Sequence, residues 1–332
     1  MNENGNSTLS ALHGGTPHIG KLAAALLIIM SALFGCAAIV TAVTAMIFPC
    51  LLLSAASVGI LAVLFLTANP LPSLLSPALM AGSAILLGAG PLASAEGAVA
   101  ILLTAAVVTL LTAKGFDPFP SRAAVVLVCS LIAALAFAEL IYYYKGSFWT
   151  GIDELSEYIR SSMESILASL YRNIDSADVA SAAEDAANIS IMLLPGVLCC
   201  LGILNSWLIF LVARVTASAL GCRRDLFPAA VSPRPLAVVY IVLFVLSLFM
   251  GGTLDGVSVA LMNARMILTL LFFGEGLRIL VTAVKLKLVG RSTAVTALIG
   301  VLILLFAGPV VPALAAAVII RSGKRRRADG EQ

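Results

Sequence analysis

Charge is what this sequence has least of. Only 11% of its 332 residues are charged, against about 25% in an ordinary soluble domain. Histidine is scarcer still: His13 and His18 both lie in a polar N-terminal tail. No apolar run can therefore carry an H-E-x-x-H metal site or a histidine base. There is no Cys-x-x-Cys pair among Cys36, Cys50, Cys129, Cys199, Cys200 and Cys222. These six read as small buried hydrophobes, and neither a metal nor another cofactor is expected. No phosphate-binding glycine loop occurs, so an ATP-driven role requires a separate ATPase. Gly251-Gly252-Thr253-Leu254-Asp255 misses the intramembrane aspartyl-protease pattern by one place. Asp255-Gly256 opens like a lipid-headgroup transferase motif, but the downstream aspartates that hold its metal are absent. On these grounds the chain is not expected to be an enzyme.

What it has instead is apolar length. Hydrophobic residues make up 61% of the chain, and they fall into runs at 21–48, 51–67, 74–87, 98–113 and 123–144, then 189–220, 236–250, 257–286 and 293–320. A membrane-spanning helix needs about 20 such residues. Lipid is the solvent that accepts so much apolar surface, and it demands that backbone groups bond within their own segment. The expected fold is all-α: a polytopic transmembrane helical bundle of about nine runs with an amphipathic extramembrane segment. The runs at 74–87 and 98–113 are short, which predicts tilted, kinked or partial crossings. Pro49, Asn69-Pro70-Leu71-Pro72, Gly88-Ala89-Gly90-Pro91 and Asp117-Pro118-Phe119-Pro120 punctuate the runs.

The organisation read from this pattern is a polar tail at 1–20, an N-terminal membrane part at 21–145 and an acidic segment at 146–188. A C-terminal membrane part at 189–320 and a basic tail at 321–332 complete it. Eight of the 17 acidic residues lie between Gly146 and Ser190. Lys114 with Arg122, Arg223 with Arg224 and Arg234, and Lys285 with Lys287 and Arg291 mark three connections on one side. By the excess of basic residues in cytoplasmic loops, that side is cytoplasmic, the N-terminus is inside and 146–188 is external. The net charge of +3 is spread through these connections and does not point to nucleic acid. The basic tail from Arg321 to Arg327 belongs inside by the same rule. A last run folded back at Gly308-Pro309 as a hairpin would put it there. Ile152, Leu155, Ile159, Met163, Ile166 and Leu170 recur every three or four residues, so 146–188 contains an amphipathic helix. Its acidity argues for protein packing over adhesion to anionic lipid. Asp175 or Ser176 is placed to cap a second helix. Glu96 is expected in an external turn.

Polar groups at membrane depth are costly and are the first candidates for function. The run 257–286 carries Asn263, Arg265, Glu275 and Arg278. Glu275 and Arg278 are three apart and can pair. The sixth run is interrupted by Asn205, Ser206 and Trp207, an amide able to bond across helices beside an indole. Asn263, Glu275, Arg278, Asn205 and Trp207 are thus candidate substrate-binding residues. Internal ion pairing and interhelical glue are the competing reading for each. In the first run Ser31 and Gly35, then Ala38 and Ala42, recur at a spacing that lets helices approach closely. They serve either internal packing or a partner helix.

Leu193-Leu194-Pro195 opening a long helix, a basic loop ending Arg234-Pro235, and Asn263 followed by Phe272-Phe273-Gly274-Glu275-Gly276-Leu277 resemble the YybS-like family of bacterial membrane proteins. The likeness covers about 190–325, and the N-terminal half follows by hydropathy alone. The family more often has an amide where this chain has Glu275. Its N-terminal helices are similar to the substrate-binding subunits of energy-coupling factor transporters, and more distantly to a membrane protein of the rod-shape machinery. The resemblance implies either a transporter subunit binding a small molecule and contacting a membrane coupling partner through Ala38 and Ala42, or a non-enzymatic scaffold in envelope growth or sporulation.

Overall fold

The computed structural model describes residues 19–68, 70–170, 176–222, 227, 232–249, 256–287 and 310–330. These form helices and short connections, with no strand among the described residues. The helices are α1 (Lys21–Val43), α2 (Ile47–Thr67), α3 (Pro70–Ser73), α4 (Leu75–Leu86), α5 (Pro91–Ala113) and α6 (Pro118–Lys145). They continue as α7 (Phe148–Leu170), α8 (Ser176–Met192), α9 (Leu194–Ala219), α10 (Arg234–Phe249), α11 (Gly256–Lys287) and α12 (Val310–Gly330). The all-α class stands. Among the described residues, six helices are long and apolar enough to cross a membrane: α1, α2, α5, α6, α9 and α11. The expected runs at 74–87 and 236–250, and the described end of the run at 293–320, are shorter apolar helices, so among the described residues not all nine runs are of spanning length. Residues 293–309, with the hairpin apex at Gly308-Pro309, lie outside the described residues, as do Asp175, Arg223 and Arg224.

Three boundaries differ from expectation for identifiable reasons. The run at 98–113 is the end of a helix that starts at Pro91, with Gly90 as its N-cap. A proline in the first turn forfeits a hydrogen bond that no residue there can make, so the helix begins early. Glu96 is consequently an exposed residue of α5 and not of a turn. The run at 189–220 is broken at Leu193, its first residues belonging to α8. The tail after Arg321 prolongs α12 to Gly330, because Lys and Arg are good helix formers and favour a helix C-terminus.

Four helices end in the same way. Met46 N–H donates to the Thr41 carbonyl, Ala89 to Ala84, Phe116 to Leu111 and Cys222 to Ala217. This six-residue closure needs a left-handed residue just before the donor. Gly88, Gly115 and Gly221 supply it in three cases, and Ala45, at φ 58°, in the fourth.

The chain forms two compact units, one from 1–132 with 202–230 and the other from 133–201 with 231–332. In the first, α1 lies along α2, α4 and α5, and α2 along α5. Its core holds Ile39, Leu61, Leu64, Met80, Val108, Val125, Ile209 and Phe210. Gly35 lets Met80 approach: a Cβ there would stand 2.7 Å from the methionine sulfur. Ser31 and Ser57 join α1 to α2 reciprocally. The Ser57 hydroxyl donates to the Ser31 carbonyl at 2.9 Å and the Ser31 hydroxyl to the Ser57 carbonyl at 3.1 Å.

In the second unit α10, α11 and α12 pack around Tyr240, Phe272, Ala316 and Ile319. The Tyr240 and Phe272 rings lie 5.1 Å apart. α7 and α8 form an antiparallel hairpin. α8 lies along α7, and its Val179, Ala183 and Ala187, which recur every four residues, are buried. Ile166 and Leu170, at the far end of the apolar stripe of α7, are exposed. Lys145 at the end of α6 pairs with Glu154 of α7.

Candidate functional site

The break between α8 and α9 follows from Pro195. Proline has no N–H, and it disfavours helical geometry in the residue before it. The next donor, Gly196 N–H, would ordinarily bond to the Met192 carbonyl four residues back. Here the carboxamide of Asn263 stands between them. Gly196 N–H donates to Asn263 Oδ1 at 2.8 Å, and Asn263 Nδ2 donates to the Met192 carbonyl at 3.0 Å. Nδ2 also reaches the carbonyl of Val259, one turn back on α11, at 3.2 Å. One side chain thus replaces the missing backbone bond. Position 196 must be glycine for this, since a Cβ would collide with Asn263 Oδ1.

Twelve residues further along α11, roughly 18 Å at 1.5 Å per residue, Glu275 does a different job. Its Oε1 accepts from Ser232 N–H at 3.1 Å and from the Ser232 hydroxyl at 3.4 Å. Oε2 lies 2.9 Å from Arg278 Nη2. Ser232 stands just before the first turn of α10, where unpaired N–H groups and the helix dipole favour an anion. Glu275 therefore anchors the start of α10 while paired on its own helix. Gly276 beside it is in contact with α12, its ideal Cβ position being 3.0 Å from the Val311 carbonyl. Glu275 and Arg278 pair as expected, whereas Asn263 stands apart from them on the same helix. Each is bonded to its own chain.

The first unit is different. Asn205 and Ser206 lie midway along α9, within the core of that unit. Asn205 Nδ2 points at Cys129 Sγ of α6, 3.9 Å away, a weak contact. Asn205 Oδ1 and the Ser206 hydroxyl are buried with no hydrogen-bond partner, as are the hydroxyls of Ser76 and Ser94. Trp207 follows, partly buried. One turn away on α9, the close approach of Gly202 to Ser130 draws α9 against α6. Two turns towards the other end, Arg122 stacks on Phe210 at 5.0 Å, and Arg214 donates twice to the Phe227 carbonyl, at 2.8 and 3.1 Å. The stretches 123–138 and 197–213 that pass Asn205 contain no charged residue.

Of the small residues of α1, Ser31, Gly35 and Ala38 are buried within the first unit and Ala42 is exposed. On the hairpin, Arg160 is bonded to Glu157 at 2.6 and 2.9 Å. That bond, reinforced by the charge, holds the Glu157 carboxyl below the usual range and raises Arg160, which also feels Glu164 and Glu184.

Sequence reasoning named Asn263 and Glu275 but not their partners. Gly196 and Ser232 are 67 and 43 positions away in the chain, and only Pro195 hinted that the backbone nearby would need help. No curated protein and no solved structure matches the chain. A family model described as "Predicted membrane protein (DUF2232)" matches residues 36–320. With most of its length covered by that match and six helices of spanning length among the described residues, the chain belongs to this family of multi-pass membrane proteins.

Proposed function

We propose that the chain is a non-catalytic, substrate-binding membrane subunit of a transporter, taking a small neutral polar molecule at the middle of α9. One contrast supports this reading. The polar candidates of the second unit are bonded to their own chain, whereas Asn205 Oδ1 and the Ser206 hydroxyl are buried without partners. An unmade hydrogen bond on a buried group costs about 1–3 kcal/mol, and such groups call for an explanation in a water, ion or ligand. A ligand offering N–H or O–H groups would satisfy both, and the absence of nearby charge favours a neutral one. Energy for movement would come from a separate coupling protein. Ala42, exposed at the end of α1, is the residue of its stripe available to such a partner. In this reading the shorter apolar helix α4 also crosses the bilayer, which puts the N-terminus in the cytoplasm and the α7–α8 hairpin outside.

The test is purification in mild detergent followed by mass spectrometry of released small molecules. A neutral polar compound should accompany the wild type and be lost from Asn205→Leu/Ser206→Ala. Retention of the same compound by the double variant, or none with either protein, would sink the proposal.

A second reading, a scaffold in the cell envelope, has its own observation. The α7–α8 hairpin exposes Asp153, Glu154, Glu157, Glu164, Asp178, Glu184 and Asp185, with Tyr158 70% exposed among them. Such a surface suits a basic protein partner. Deleting 151–187 should then abolish co-purification of that partner while the membrane body still inserts.

A further inference from the structure

Arg265 stands on α11 within the stretch apolar enough to span a membrane. Its Nη1 donates to the Ser247 hydroxyl at 2.8 Å, and its guanidinium lies 5.3 Å from the Phe244 ring centre. Among the described residues no carboxylate pairs with it, in contrast to Arg278 and Arg160. A guanidinium has five N–H donors in a planar fork, and one of them is used. The partial negative charge at the end of α10 offsets part of its cost, because Ser247 lies in the last turn of that helix. A full cation at a lipid boundary still needs an anion.

The position along the helices says which anion. Ser247 is two residues from Phe249, the last described residue of α10, so Arg265 lies level with that end of the described helix. Nine residues separate Arg265 from the start of α11, about 14 Å of rise. The flank of α10 next to Ser247 carries Val239 and Leu246, and Met262 lies one turn from Arg265 on α11. All three are exposed. A guanidinium fork at the end of a helix, beside open aliphatic side chains, offers a headgroup site with an acyl-chain path next to it. Planar, bidentate recognition of phosphate is what arginine does best.

We propose that Arg265, with Ser247, binds the phosphate of an anionic lipid headgroup, the acyl chain lying along Val239 and Leu246. The site does not depend on the reading of α9 given above.

The experiment is native mass spectrometry of the full chain, delipidated in mild detergent. It is titrated with phosphatidylglycerol, with phosphatidylcholine and with inorganic phosphate. The wild type should retain one phosphatidylglycerol about tenfold more tightly than phosphatidylcholine, a preference on the scale of one or two basic side chains at a membrane surface. Arg265→Gln should erase that preference, Arg265→Lys should keep part of it, and Ser247→Ala should weaken it a few-fold. Arg160→Gln, which removes a charge on the extramembrane hairpin, should leave it intact. Equal retention of the two lipids by the wild type, or an unchanged preference in Arg265→Gln, overturns the proposal. Displacement of the lipid by millimolar inorganic phosphate would assign the site to a free anion and overturn the lipid assignment. Should Arg265→Gln fail to fold, Arg265→Lys and Ser247→Ala carry the test.

Discussion

Asn263 is spliced into the backbone at Gly196: its carboxamide accepts the N–H of Gly196 and donates to the carbonyl of Met192. The kink between α8 and α9 is thereby fixed from a third helix. Asn263→Leu should destabilise the chain by roughly 2–3 kcal/mol, because it strands a buried N–H and a carbonyl together. Gly196→Ala should cost at least as much, since the new methyl group collides with the amide. Thermal unfolding in detergent measures both. The double variant should cost much less than the sum, because each change destroys the same junction.

Glu275 combines two tasks that a glutamine can only partly share. Glu275→Gln keeps an acceptor for Ser232 N–H and loses the ion pair with Arg278. Arg278 is 40% exposed and Glu275 12%, so solvent near the arginine already weakens that pair. The expected loss is about 1 kcal/mol or less. Glu275→Leu also strands the donors at the start of α10 and should cost about 2–3 kcal/mol. A comparison of melting midpoints separates the two. Equal losses would mean that charge alone, and not acceptance from Ser232, matters.

Two buried serines should respond oppositely to the same change. Ser57→Ala breaks one half of the reciprocal bond with Ser31 and should cost about 1 kcal/mol. Ser206→Ala removes a hydroxyl without a partner and should be neutral or stabilising in the ligand-free protein. Denaturation after exhaustive detergent washing is the measurement. A loss at Ser206 equal to that at Ser57 would show that its hydroxyl is bonded within the chain after all.

Ala45 occupies a backbone conformation that glycine fills at the ends of α4, α5 and α9. A left-handed alanine carries a penalty of about 1 kcal/mol. Ala45→Gly should return most of it, less the extra freedom that glycine brings to the unfolded chain. A small rise in melting temperature, with no change in helical content, is the expected outcome.

How much of this was legible beforehand depended on the range of the interaction. Long apolar runs announce helices residue by residue, because lipid forbids other backbone arrangements, and five of the runs became helices of spanning length close to where they were expected. Boundaries failed where a neighbour intervened. Pro91 extended α5 backward past Glu96, and the break at Leu193, which Pro195 causes, is bridged by a side chain 70 residues later, Asn263. The polar candidates were found because polarity stands out in an apolar run. Whether each was spent on its own chain was not legible. Periodicity places Glu275 on a helix face but says nothing of Ser232 in a different segment. Arg265 was visible as a charge, and its pairing with Ser247 was not.

One feature of the second unit bears on the membrane itself. α10 has 16 residues, a length of about 24 Å against a hydrocarbon layer of about 30 Å. Its neighbour α11 has an apolar stretch of 24 residues, about 36 Å, and faces the opposite mismatch. Where both cross it, the bilayer must pinch inward along one flank and rise, or tilt the helix, along the other, at a fraction of a kcal/mol for each ångström. That strain extends into the surrounding lipid. Any second protein with short helices that settles against α10 shares the pinched patch and relieves part of it. With α10 across the bilayer, the body of the protein would thus carry an attraction for thin-belted neighbours that requires no complementary surface between them.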